Sequence, residues 1–110
     1  GAVVVDVSAT DTLQTLREAV QERRKIFINY RDLNEKASER TLRPLGCFYW
    51  GKVWTLAAWC EQREDFRSFR VDRVTYVRRL DDRFRDEPGR TLADLARVEE
   101  ARAKEMGWSQ

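Results

Sequence analysis

The sequence predicts a mainly β, α+β domain: a small barrel of five short strands with one helix ahead of it and a second helix after a linker. Three observations carry that prediction. Between Lys25 and Leu80, runs rich in β-branched and aromatic residues are separated by turn residues. Ahead of them lies an amphipathic stretch of helical period, and behind them a polar break holding Pro88 and Gly89 precedes a second such stretch. Five strands that close on themselves leave no bare edge, which is why a barrel is expected.

The first helix is expected to start at Asp11. Its carboxylate is placed to cap the first turn, with Gln14 reaching back toward the cap, and Leu13, Leu16, Ala19 and Val20 then recur on one face. The first strand begins at Lys25, with Ile26 to Tyr30 as its apolar body, and ends in the polar stretch Arg31 to Ala37 around Asn34. A second strand spans about Ser38 to Tyr49. Pro44, lacking an N–H, marks an edge or a bulge there, and Gly51 supplies the following turn beside a half-exposed Trp50. In the third strand, Val53 to Cys60, Trp54, Leu56, Ala58 and Cys60 share one side, while Val53, Thr55, Ala57 and Trp59 share the other. With so little polar alternation, both faces should be covered and the strand should be central. Asp65 to Arg70 makes a fourth strand, Val71 to Val74 a tight turn, and Thr75 to Leu80 a fifth.

The domain therefore runs from 11 to 84, and residues 85–110 form a linker and an amphipathic helix. Thr91 with Asp94 repeats a capping pattern, Leu92, Leu95 and Val98 form a stripe, Glu100 pairs with Lys104, and Met106 and Trp108 close the chain. So short a stripe must pack on something, either its own barrel or another subunit. Thr91 to Gln110 is expected to serve association or docking and not ligand binding.

Composition narrows the chemistry. With 110 residues, one domain is all the chain can build. It contains no His, which removes the commonest general base and metal ligand, and no nucleophile, base and metal cluster converges, so neither catalysis nor a metal or other cofactor is expected. Cys47 and Cys60 are too few for a disulfide scaffold and read as buried thiols of a cytoplasmic protein. No apolar run is long enough to span a membrane. The chain opens at Gly1, with Ala2 to Val5 following and no Met, as would a piece of a longer protein.

Charged residues make up 36% of the chain, and 17 of its 21 basic residues are Arg, whose planar fork suits phosphate and carboxylate. Arg63, Arg67, Arg70 and Arg73 recur in one short block with Phe66 and Phe69, and Arg40 and Arg43 come from the second strand. Glu61, Glu64, Asp65 and Asp72 intervene. Two readings stand side by side: a solvated face of ion pairs, or an Arg-lined groove with aromatic floors of the kind that tracks a phosphate backbone.

The order Ile28 to Tyr30, Ser38-x-Arg40 with Pro44-Leu45, Trp54-x-Leu56-x-Ala58, and Arg63-x-Asp65-Phe66-Arg67-x-Phe69-Arg70-x-Asp72-Arg73-Val74 resembles the WYL-domain family of bacterial transcriptional regulators, over about Leu13 to Phe84. The resemblance implies an Sm-like (SH3-like) barrel that senses a ligand, single-stranded DNA or a nucleotide-like or other anionic effector, usually behind a helix-turn-helix domain that reads duplex DNA. It points to Ser38, Arg40, Thr55, Arg63, Arg67, Arg70 and Arg73 as ligand-binding residues. Thr55 departs from the family's Trp-Tyr-Leu, removing a ring on which a base would stack, and Trp59 reads as core or as a replacement ring. The implied function is the sensing domain of a regulator, with a homodimer-forming oligomerisation module as the alternative.

Overall fold

The computed structural model describes residues 7–107, with side chains from Thr10 onward. In chain order it contains α1 (Val7–Glu22), β1 (Arg24–Arg31), β2 (Ala37–Trp50), β3 (Val53–Cys60), β4 (Asp65–Arg70), a 3-10 turn (Val71–Arg73), β5 (Val74–Arg83) and α2 (Leu92–Glu105). The strands form one antiparallel sheet in the order β4-β3-β2-β1-β5. The readings placed on Gly1 to Val5 and on Trp108 lie outside the described residues.

α1 starts four residues before the expected cap, because nothing in Val7 to Thr10 breaks a helix, so Asp11 lies inside it. Gln14 does not reach back: its Nε2 donates forward to Glu18 Oε1 at 3.0 Å. Leu16 and Ala19 are fully buried against Ile26, Ile28, Leu42 and Leu56, as the helical stripe requires. The helix stops where Arg23 turns left-handed at φ 51°.

β2 is the middle strand, a place the sequence reading had given to β3. Its first half pairs β1 and its second half β3, with Leu42 opposite both Ile26 and Cys60. Pro44 opposes Ala58 and Gly46 opposes Ala57, so Leu45 is an extra residue. Pro44 thus sits at a bulge in an interior strand, where its missing N–H costs little. β3 is covered on both faces without being central, since the core lies on one side and α2 with its linker on the other. Gly51 and Lys52 both take positive φ, which fits a tight hairpin between Trp50 and Val53.

No ladder joins β4 to β5 among the described residues, so the sheet is open where a closed barrel was expected. The opening is bridged by side chains. The Tyr30 hydroxyl accepts from the Arg70 backbone N–H at 3.0 Å, and its ring meets Phe69 edge-on at 5.0 Å. Cys60 is buried and Cys47 half-buried, both as free thiols, and burial pushes the Cys47 pKa up.

The C-terminal helix folds back on its own sheet. Thr91 and Asp94 form the expected capping box, with Asp94 N–H on Thr91 Oγ1 and Thr91 N–H on Asp94 Oδ2, both at 3.1 Å. The Glu100–Lys104 pair is present at 3.8 Å, and Leu95 is the buried residue of the stripe. The linker is held by a chain of charges: Lys25–Glu61 at 2.8 Å, Glu61–Arg43 at 3.3 Å, Arg43–Glu87 at 3.0 Å and Glu87–Arg90 at 3.2 Å. The Arg90 guanidinium also lies 4.9 Å over the Trp59 ring. Trp59 is therefore a buried wall under the linker. Among the described residues no helix is long and apolar enough to cross a membrane.

Candidate ligand site

Strand alternation decides which side chains share a surface. On the face of β3 turned away from the core stand Thr55 and Ala57; their partners in β4 are Arg70 and Ser68, and Phe48 of β2 opposes Thr55. α2 passes over this face. Between them lies a cavity of about 440 Å³, with Phe48, Trp50, Thr55, Ala57 and Ser68 on the sheet side and Leu92, Leu95, Ala96 and Glu99 on the helix side. Thr55 and Ser68 also line a shallower hollow that runs on to Arg70, Tyr30 and the Asp32–Asn34 loop. The two share Thr55 and Ser68 and make one trough, mainly apolar along its length, with the Arg70 guanidinium at the end away from α2.

Of the seven expected residues, the structure brings Thr55 and Arg70 together at this trough. Arg73 stands behind it, tied to the loop wall: its Nε donates to Arg31 O at 2.9 Å, and Nη2 donates to Asp32 O at 2.5 Å and to Glu35 at 2.6 Å. That bond, more than the charge, holds the Glu35 carboxyl below its usual range. Arg67, three residues from Arg70, is on the opposite face beside Ala58 and pairs with Asp65 at 3.1 Å. Arg63 lies in the β3–β4 turn, beyond Asp65, which is itself five register steps and so about 17 Å along the hairpin from Arg70. Arg40 is at that same end, next to Thr41, whose N–H donates to Gln62 Oε1 at 3.0 Å, and it has no ion-pair partner among the described residues. Ser38 opposes Tyr30 and lines a separate cleft with Asn29, Glu39 and Thr75. The arginines do not form one continuous groove.

Arg70 itself grips Asp72, Nε to Oδ1 at 3.0 Å and Nη2 to Oδ2 at 2.6 Å, which lowers the Asp72 pKa and raises that of Arg70. A guanidinium has five N–H donors, so three remain for a ligand. Ser68, Phe48 and Glu99 were missed in the sequence. Period-2 alternation through β4 puts Ser68 on the face of Arg70, and helical spacing puts Glu99 on the face of Leu92 and Leu95. Both signals were present, but nothing in the sequence says those two faces meet.

Arg43, noted only as part of the basic block, is the buried charge that ties linker to sheet. Burial works against its charge, but Glu87 and Glu61 outweigh it and hold the pKa up. Burial likewise opposes the Glu61 charge, and Lys25 and Arg43 more than compensate, so its pKa falls. Among the described residues no cluster of His, Cys, Asp or Glu is arranged to hold a metal ion.

Comparison with known proteins follows the same lines. Residues 11–79 match the family described as WYL domain. Two curated relatives, both the DNA-binding transcriptional repressor CapW, one from Escherichia coli and one from Escherichia coli strain KTE188, are 29% identical over 66 residues, which is 59% of this chain and 22% of theirs. Among solved structures, proteasome accessory factor B/C (PafBC) of Arthrobacter aurescens matches with a TM-score of 0.66 at 22% identity, over 80% of this chain and 15% of that one. That likeness is one of fold. The chain spans about a fifth of the length of the curated relatives it matches.

Proposed function

Because the chain belongs to the WYL-domain family, we propose that it is the ligand-sensing domain of a transcriptional regulator and that its ligand, an anionic effector or single-stranded nucleic acid, binds in the Thr55–Ser68–Arg70 trough. The observation that carries this reading is the junction of a half-open apolar cleft with a guanidinium that still has free donors, the combination of a concave apolar pocket and a few placed polar groups that ligand sites share. The curled sheet bridged at Tyr30 is read as an Sm-like barrel left open between β4 and β5. Duplex DNA is assigned to a helix-turn-helix domain outside these residues, because the relatives described as DNA-binding are far longer than this chain. The domain is read as a binding module of the cytoplasm, without catalysis of its own.

The test is fluorescence anisotropy with a labelled single strand of about ten bases across a salt series. For single strands the logarithmic slope is roughly −0.7 per contacted phosphate, so a strand lying on Arg70 and one neighbour gives about −0.7 to −1.4, while all five arginines acting together would give about −3.5. Binding that is undetectable or insensitive to salt at high micromolar protein removes nucleic acid and leaves the small effector.

A second reading, an oligomerisation module, is favoured by one observation: Arg67, Arg70 and Arg73 are each already paired with Asp65, Asp72 and Glu35. Solution mass with and without the oligonucleotide separates the two. A dimer that no ligand perturbs supports the module, and binding without a change of mass supports the sensor.

A further inference from the structure

The trough says more about its ligand than that it is anionic. Its floor carries the short side chains of Thr55 and Ala57, its side the Phe48 ring, and its roof Leu92, Leu95 and Ala96 of α2. Gly46 helps make this shape possible: a Cβ there would lie 2.9 Å from the Phe48 ring, so glycine lets that ring come down over β2, while Leu92 would stay in ordinary contact at 3.6 Å. A cleft of about 440 Å³ walled by the Phe48 ring and the side chains of Leu92, Leu95 and Ala96, and open to solvent along one side, suits one flat ring system. Ser68 and Arg70 are two residues apart on one face, about 7 Å, so a group leaving the cavity past the Ser68 hydroxyl meets the guanidinium. At the helix side the lining ends in the acidic residue Glu99, so that end offers no partner to a second acid group.

Resting on the reading of the trough as the sensing site, we propose that it takes a small aromatic monocarboxylate, with the ring under α2 and the carboxylate on Arg70 beside Thr55 and Ser68. Asp72 takes one edge of the Arg70 guanidinium, and the three N–H donors left have room for a single further acid group. α2 is then part of the site and not solely an association element.

The experiment uses the 110-residue chain, with 2-naphthoate as probe and 2-naphthalenemethanol as its uncharged counterpart, followed by amide chemical shifts in ¹⁵N-labelled protein. Shifts centred on Ala57, Ser68, Leu95 and Ala96 are expected, with the acid bound about tenfold tighter than the alcohol, the worth of one charge-assisted hydrogen bond. Thr55→Tyr fills the floor and Ala96→Leu fills the roof; each should weaken the probe about tenfold with an unchanged circular dichroism spectrum. Should Thr55→Tyr fail to fold, Ala96→Leu decides, since Ala96 is exposed on a helix. Arg70→Gln should abolish the preference for the acid. Equal binding of acid and alcohol, shifts lying elsewhere, no shifts at millimolar probe, or filling variants without effect would each overturn the proposal. A ten-base oligonucleotide run in parallel separates the two levels: if it binds and naphthoate does not, the sensing reading stands and the aromatic acid falls; if neither binds, the aromatic acid and the nucleic acid both fall.

Discussion

Replacing Tyr30 with Phe removes one oxygen from the place where the open sheet is bridged. The hydroxyl accepts the Arg70 N–H at 3.0 Å, and that partly buried donor has no other partner in sight once the oxygen is gone. The ring itself stays, 5.0 Å from Phe69 and nearly perpendicular to it, so the packing contribution is unchanged. A typical intramolecular hydrogen bond contributes about 0.5–1.5 kcal/mol net, and an orphaned donor adds part of its desolvation cost, so a loss of about 1–2 kcal/mol is expected. For a domain of this size that is a fall in Tm of roughly 4–10 °C. Urea unfolding followed by Trp fluorescence measures it, with the midpoint shifted and the slope unchanged because the surface exposed on unfolding is the same. A loss under about 0.3 kcal/mol would refute the claim that this bond ties β1 to β4, and a loss above about 3 kcal/mol would mean that the ring contact had moved as well. Arg70→Gln is the control, since the bond is to backbone and should survive it.

The remaining predictions concern the charges and the C-terminal helix. Arg43→Ala should cost about 1–3 kcal/mol, less than a fully stranded buried pair, because Glu61 keeps Lys25 and Glu87 keeps Arg90; urea titration checks it, and no loss would mean the linker needs no tether. Thr91→Ala removes the cap acceptor for Asp94 N–H and should cost about 1 kcal/mol, seen as faster amide exchange through α2, with the core strands unaffected. Glu35, Glu61, Asp65 and Asp72 all have folded pKa values below their ordinary ones, so the stability they contribute is present above the unfolded value and is lost as pH falls through the folded one. Thermal unfolding should therefore be nearly flat between about pH 6 and 8, where the chain has no His to titrate, and should decline below about pH 4, with a shallower decline in Glu61→Gln. A decline that starts near neutral pH would contradict that assignment.

What the sequence determined by itself was local or motif-borne. β1, β3 and β4 are legible because β-branched and aromatic runs are bounded by turn residues. The box at Thr91 and Asp94 is legible because its partners are three residues apart, and the family because its arginine block is written in consecutive positions. The expected common site for Arg67 and Arg70 was not among them, since the two stand on opposite faces of β4. Tertiary structure alone decided the rest: that a bulge at Leu45 lets β2 serve two neighbours and take the centre, that α2 returns to its own sheet over Thr55, and that Arg73 is tied to the β1–β2 loop while Arg70 faces the trough. The reason is range. Propensity, capping and turn geometry act over a few residues, whereas the partner of a guanidinium or the roof of a cavity is set by strand register and curvature, which join residues far apart in the chain and depend on the whole sheet at once.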